Sequence, residues 1–387
     1  MRLRGRRWLI VLGGLVVLGV VGALFLKPIV RRFMGINLDS GAAAQTGVQV
    51  PAGFTATVFA SGLAGPRFMA VGPDGTVFVA ERGLNRVVAL PDADHDGQAD
   101  AVISVAGDMT APSSLDFYQG QLLVGEEDKI TLLTLGPDHR ATARKVLIPD
   151  LPTNGLHTTK TVLAGPDGRL YVAMGSTCNV CHDGDPRRAA VSVYAMDGSG
   201  GRIFSKGLRN AVGVAVNPVT HAIWATNNGR DLWGDTRPPE TLNVLQDGAD
   251  FGWPRCHAGT LVDPDFGGTA GCTGVTAPVA TMDAHMAPLG LVFYQGAAFP
   301  PGYRDSVYIA FHGSWNSTNL VGYKVMRVPL QDGKVAGPAE DFATGWLQDN
   351  SGSTGRPAGI VETADGALLV SDDKGGFIYR ISATRPR

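Results

Sequence analysis

His157 stands eight residues ahead of Gly165, the first glycine of a Gly-Pro-Asp-Gly turn, in the stretch GLHTTKTVLAGPDGRLYVAMG that begins at Gly155. A neutral imidazole is a ready proton acceptor near pH 7. Lys160 follows it. Arg67, Arg209 with Asn210, and Arg356 each stand just ahead of a similar apolar stretch elsewhere in the chain. Arginine suits bidentate capture of carboxylates. Like charges gathered in one place repel unless an anion lies between them. One base among several cations therefore points to proton abstraction beside a planar polyanion. The plainer alternative is that the arginines pair with nearby carboxylates and His157 bonds a backbone carbonyl.

These residues become neighbours only if the fold gathers them. Six segments share one plan of lead-in, apolar strand, turn and second strand. They are GPRFMAVGPDGTVFVAER, APSSLDFYQGQLLVGEE, HTTKTVLAGPDGRLYVAMG, LRNAVGVAVNPVTHAIWATNNG, APLGLVFYQGAAFPPGYRDSVYIAFHG and GRPAGIVETADGALLVSDD. A third strand often follows, as in RVVAL, ITLLTL, YKVMRVPL and FIYRIS. An all-strand repeat of roughly fifty residues predicts an all-β, six-bladed β-propeller with one blade per repeat. Each blade's innermost strand lines the central channel. The six lead-ins thus converge on one face around the axis, bringing Arg67, Ser113, Ser114, His157, Lys160, Arg209, Asn210, Pro288 and Arg356 together.

The 52 glycines and 24 prolines suit tight turns between short strands. Seven of the 33 basic residues precede the first acid, Asp39, leaving 26 against 35 acids and a net charge of −9 for the remainder. So acidic a body makes a poor nucleic-acid binder. Trp8 to Leu26 is a 19-residue run without a charge. It is long enough to span a bilayer and predicts an uncleaved N-terminal transmembrane helix, with a cleaved signal peptide as the alternative. The expected organisation is an anchor over 1–32, a polar tether over 33–52, and the propeller over 53–384. The implied setting is a bacterial inner membrane with the propeller in the periplasm.

The four cysteines form two local pairs, Cys178 with Cys181 and Cys256 with Cys272. In an exported chain they read as two disulfides. CNVCH at 178–182 also fits the C-x-x-C-H attachment pattern for haem c, but strand rather than helix surrounds it, which favours the local disulfide. DADHDGQAD places Asp92, Asp94, Asp96 and Asp100 around Gly97. Alternate oxygens on a turning loop suit a structural calcium, and a solvated acidic turn is the simpler reading. Most tryptophans read as blade packing. Trp233 and Trp315 are the two for which stacking on a sugar face is the alternative to packing.

LHTTKTVLAGPDGRLYVAMG, GLRNAVGVAVNP, DGADFGWP, APLGLVFYQG and GRPAGIVETADG together resemble the pyrroloquinoline quinone (PQQ)-dependent glucose/sorbosone dehydrogenase family, over essentially everything after residue 50. HGSWN and GYKV resemble its sorbosone dehydrogenase branch. The resemblance implies a propeller that oxidises a sugar or sugar aldehyde with PQQ and calcium, by hydride transfer to the quinone. It implies His157 as general base, and Arg209 and Asn210 facing the cofactor. Arg356, with Lys160 and Arg67, would serve the PQQ carboxylates. Calcium would sit on backbone carbonyls of Asn228, Gly229 and Arg230, near Asp231. Electrons would pass to a membrane quinone or a cytochrome. The sequence departs from the glucose enzymes at Leu156, where they carry Asp, and at Ser113 and Ser114, where they carry a substrate-side Gln. The family's fifth-repeat lysine has only His312, Trp315 and Lys324 as counterparts. A calcium-dependent propeller lactonase and a non-catalytic platform tethered to the membrane are the alternative readings.

Overall fold

The computed structural model describes residues 46–350 and 352–384. The anchor and most of the tether lie outside the described residues. Among those described, no helix is long and apolar enough to cross a membrane. Helix among the described residues is confined to two short 3-10 turns, Arg82–Leu84 and Pro301–Tyr303.

The six repeats are six antiparallel blades. Their innermost strands are Pro66–Val71, Ser114–Tyr118, Lys160–Ala164, Ala211–Val216, Pro288–Phe293 and Pro357–Glu362. Each pairs with the second strand of its own repeat, from Val77–Glu81 in blade 1 to Leu368–Asp372 in blade 6. These second strands are almost wholly buried, because blades pack on both faces. Returns of four residues or more lead to the third strands, and fourth strands complete the blades.

Blade 6 obtains its outermost strand from the other end of the chain. Phe54–Ala60 pairs with Phe377–Ala383, with Phe54 opposite Ala383. This pairing ties the first described strand to the last, and Phe54–Ala60 becomes the outer edge of blade 6.

Polar bonds stitch the inner strands around the axis. Phe68 N–H donates to Ser113 O, Ser114 Oγ to Lys160 O, Thr161 Oγ1 to Val212 O, and Thr226 Oγ1 to Leu289 O. Ser371 Oγ donates to Arg67 O at 2.5 Å and joins blade 6 to blade 1. Apolar clusters fill the wedges between adjacent blades. Phe68, Val212, Leu289 and Ala358 form a separate cluster on the axis itself. These close-packed wedges make the ring a rigid frame.

Register settles which loops share a face. Pro66 lies opposite Glu81, Lys160 opposite Met174, Ala211 opposite Asn227, Pro288 opposite Phe311 and Pro357 opposite Asp372. Each lead-in therefore sits beside the loop that leaves its own second strand. The candidate site is built from those two sets of loops.

Candidate active site

His157 leads into blade 3 and is half-buried. Its Nδ1 lies 2.9 Å from Ser176 O and 3.0 Å from Ser176 Oγ. The Ser176 hydroxyl donates to Cys178 O at 2.6 Å, so its proton is committed. Both atoms facing Nδ1 are then acceptors, and Nδ1 must carry the ring hydrogen. That leaves Nε2 as the basic nitrogen. Burial, with Arg209 and then Arg188 nearby, pushes the His157 pKa down to about 3, against a smaller upward pull from Ser176. The imidazole is neutral at physiological pH.

Gly175 brings blades 3 and 4 together here. A methyl group at this position would collide with Asn210 Oδ1 and with His157 Cβ. Only glycine lets the base and the Asn210 amide approach so closely.

Arg209 leads into blade 4, and its side chain is 3% exposed. Nε donates to Asn179 O at 2.8 Å and Nη1 to Gly229 O at 2.6 Å. Nη2 donates to Asn179 Oδ1 at 3.0 Å and to Asp231 Oδ2 at 2.6 Å. It thus binds the loop expected to hold calcium. The second Asp231 oxygen accepts from Asn316 Nδ2 at 3.2 Å. Arg230 turns away to Asp263 at 2.5 Å. The oxygens gathered here, Asn228 O, Gly229 O and the Asp231 carboxylate, are the hard donors that calcium prefers. Carbonyl and carboxylate oxygens carry more than one lone pair, so a cation could share them with the guanidinium.

Across the face, Arg67 pairs with Asp373 at 2.6 Å, and His312 Nε2 lies 2.9 Å from both Asp373 oxygens. Burial pushes the His312 pKa down to about 4, against the upward pull of Asp373. Arg356 donates to His312 O and Gly313 O at 2.9 and 2.8 Å and lies over the Tyr323 ring. Among the described residues no carboxylate pairs with Arg356. Lys160 is fully buried and its Nζ donates to Thr158 O at 2.9 Å. Burial and the Arg188 charge lower its pKa to about 8. It too has no carboxylate partner among the described residues.

The expected cations therefore divide into two groups. Arg67 and Arg209 follow the plainer reading and pair with carboxylates. Lys160 and Arg356 have no carboxylate within ion-pair distance among the described residues, though Glu127 and Asp128 partly offset the Lys160 charge from further off. Ser113 and Ser114 do not face a ligand; they are buried and donate to Lys160 O across the blade 2–3 wedge. Lys324, opposite Phe311 at the start of the third strand of blade 5, is tied to Asp341 at 2.6 Å. Leu156 is 69% exposed, as is Trp315. Trp233 is half-buried, between Arg230 and the His257 ring.

Several site residues escaped sequence reasoning. Arg188 is buried behind the base and donates to His157 O and Pro152 O, both at 2.8 Å. Asn179 grips Arg209. Glu240 is buried and accepts from Gly229 N–H at 2.7 Å and Ala287 N–H at 3.2 Å. The preceding PRR and the CNVC spacing were the available signals for the first two.

Both disulfides are present, Cys178–Cys181 and Cys256–Cys272. The first occupies the sulfurs that haem c attachment would need. Asp92, Asp94 and Asp96 cluster on the loop after the third strand of blade 1, at the opposite face. Asp100 is not part of that cluster. Its carboxylate accepts from Ala93 N–H at 2.7 Å and closes the loop instead.

Comparison with known proteins agrees with this architecture. A PQQ-dependent sugar dehydrogenase of Hypocrea jecorina is 24% identical, over 84% of this chain and 87% of its own. The calcium structure of a Trichoderma reesei enzyme of carbohydrate-active family AA12 superposes with a TM-score of 0.79 at 22% identity, covering 90% of this chain and 100% of that one. The holo PQQ domain of Coprinopsis cinerea pyranose dehydrogenase gives 0.76 at 23% identity, covering 89% and 99%. At such identities the structures establish the shared fold. The TrAA12-like family model matches residues 48–264 and 265–384, nearly all of the described chain, and the protein belongs to that family.

Proposed function

We propose that this protein is a PQQ-dependent dehydrogenase of sugars or sugar aldehydes, of the aldose or sorbosone type. One observation carries the reading: a histidine with its tautomer fixed and Nε2 left basic stands beside Asn210, on a face where Lys160 and Arg356 lack carboxylate partners. That combination fits a base working next to a planar polyanion. The named activity of the Hypocrea relative points the same way.

Lys160 and Arg356 would hold the PQQ carboxylates, with Arg67 contributing less because Asp373 already neutralises it. Arg209 and Asn210 would face the quinone edge. Calcium would take oxygens from Asn228, Gly229, Arg230 and Asp231. Bound PQQ supplies an electrophilic quinone that accepts the hydride from the sugar carbon. His157 Nε2 takes the proton of the hydroxyl on that carbon, and the carbonyl forms as both leave. Arg209, already paired with Asp231, would supply less of the positive charge where negative charge grows than the calcium beside it. Trp315, open to solvent, offers a ring face to the sugar.

The lactonase reading needs carboxylate ligands free around the axis. Among the described residues the one cluster of three acids, Asp92, Asp94 and Asp96, lies on the opposite face instead. The 19-residue apolar run and the two disulfides support a periplasmic domain anchored in an inner membrane, passing electrons to a membrane quinone or a cytochrome. Protease accessibility of the domain in spheroplasts tests that placement, and protection from protease would refute it.

The function is tested by reconstituting the full chain with PQQ and calcium and following dye reduction with aldoses and sorbosone. Sugar-dependent reduction supports the proposal. PQQ-independent lactone hydrolysis, with no dye reduction, would replace it.

A further inference from the structure

We propose that Asn179, held in the four-residue loop closed by Cys178–Cys181, is the positioning residue that locks base, arginine and cation loop into one unit. The proposal rests on the dehydrogenase reading above for its catalytic consequence only.

Asn179 belongs to blade 3 but spends its polar atoms on blade 4. Its backbone O accepts from Arg209 Nε at 2.8 Å and from Trp253 Nε1 at 3.4 Å. Its Oδ1 accepts from Arg209 Nη2 at 3.0 Å and from Asp231 N–H at 2.7 Å. Its Nδ2 donates to Asp231 O at 3.0 Å. The same loop also reaches the base. Cys178 O fixes the Ser176 hydroxyl proton, and that fixes the His157 tautomer. No other side chain of blade 3 among the described residues hydrogen-bonds to both Arg209 and Asp231.

The arrangement explains why a short disulfide sits at this point. Asn179 offers three polar groups at once only if its backbone is held still. Cross-linking residues 178 and 181 restricts the loop before Arg209 docks. Residues of this supporting kind typically change affinity or activity by about 10–100-fold when removed.

The test uses the full chain and two readouts. In cofactor-free protein, hydrogen exchange at the Asp231 amide is compared between wild type and Asn179→Ala. Acceleration of about tenfold or more is expected, because that amide loses its acceptor. In PQQ-loaded protein, kcat is expected to fall about 10–100-fold, with KM for aldose changing less than about threefold. Asn179→Asp keeps the acceptor for Arg209 and the Asp231 amide but turns a carboxylate oxygen toward Asp231 O and adds a charge; exchange at the Asp231 amide should rise less than in Asn179→Ala, while kcat should still fall. The Cys178→Ser/Cys181→Ser double variant should shift both readouts in the direction of Asn179→Ala. Unchanged exchange, or unchanged kcat at full PQQ occupancy despite a lower melting temperature, overturns the proposal. Accelerated exchange in a chain whose wild type takes up no PQQ would sink the dehydrogenase reading and leave the hub standing.

Discussion

Arg209 Nη2 and Asp231 Oδ2 pair at 2.6 Å, with 3% of the arginine side chain and 20% of the aspartate side chain exposed. The pair joins the lead-in of blade 4 to the loop that leaves its second strand. It holds Gly229 O and the Asp231 carboxylate in one place. Removing one partner strands a buried charge, which typically costs about 3–5 kcal/mol. Asp231→Ala should therefore lower stability by about that amount in chemical denaturation. Arg209→Lys should not rescue function, because an ammonium cannot span the Asn179, Gly229 and Asp231 acceptors together. A loss under about 1 kcal/mol for Asp231→Ala would show the pair to be incidental.

The His157 titration carries a definite sign. Its folded pKa, about 3, lies below the ordinary histidine value. Between the two values the unfolded chain binds a proton that the folded chain refuses. Stability from this group is thus present above about pH 6.5 and is lost as pH falls towards 3. His157→Gln removes that dependence. The stability difference between wild type and variant should shift in favour of the variant on acidification from pH 7 to 4. NMR of the imidazole in cofactor-free protein should show a neutral ring down to pH 4, and a midpoint near 6.5 would contradict this.

Lys160 and Arg356 should control PQQ affinity. A charge-assisted hydrogen bond is worth about 1.5–3 kcal/mol, or about 10–150-fold in Kd. Lys160→Met and Arg356→Met are each expected to weaken PQQ binding by that range, and Arg67→Met by less. Because burial brings the Lys160 pKa to about 8, wild-type affinity should decline as pH rises past 8. The decline should be missing in Lys160→Met. Fluorescence titration with PQQ measures all four proteins.

Glu240 should matter for stability. Burial raises its pKa to about 7. Its two oxygens accept from Gly229 N–H and Ala287 N–H, in blades 4 and 5. Glu240→Ala leaves two buried donors unpaired, at about 1–3 kcal/mol each. Thermal melts should show the loss, and an unchanged melting temperature would mean water replaces the carboxylate.

Much of this was legible in the sequence because propellers repeat. Alternation and turn glycines placed both inner strands of every blade, and the spacing to Gly165 singled out His157. Local cysteine pairs gave both disulfides. Ring closure by Phe54–Ala60 was not legible, since its partner lies more than three hundred residues away and no periodicity marks it. Asn179, Arg188, Glu240 and Asp373 were missed because they sit in loops or at strand ends, where function depends on who arrives from the next blade. Ser113 and Ser114 show the reverse error: their position in a lead-in was read correctly, but their hydroxyls turn sideways to satisfy Lys160 O.

The most direct test is a single-turnover spectrum. The full chain is loaded with PQQ and calcium, freed of excess cofactor, and mixed anaerobically with an aldose. Wild type should convert the oxidised PQQ spectrum to the reduced one. His157→Ala should bind PQQ equally but convert it at least about a hundredfold more slowly. Equal rates in the two proteins, or no PQQ retained by wild type, would contradict the assignment of His157 as the base beside a bound quinone.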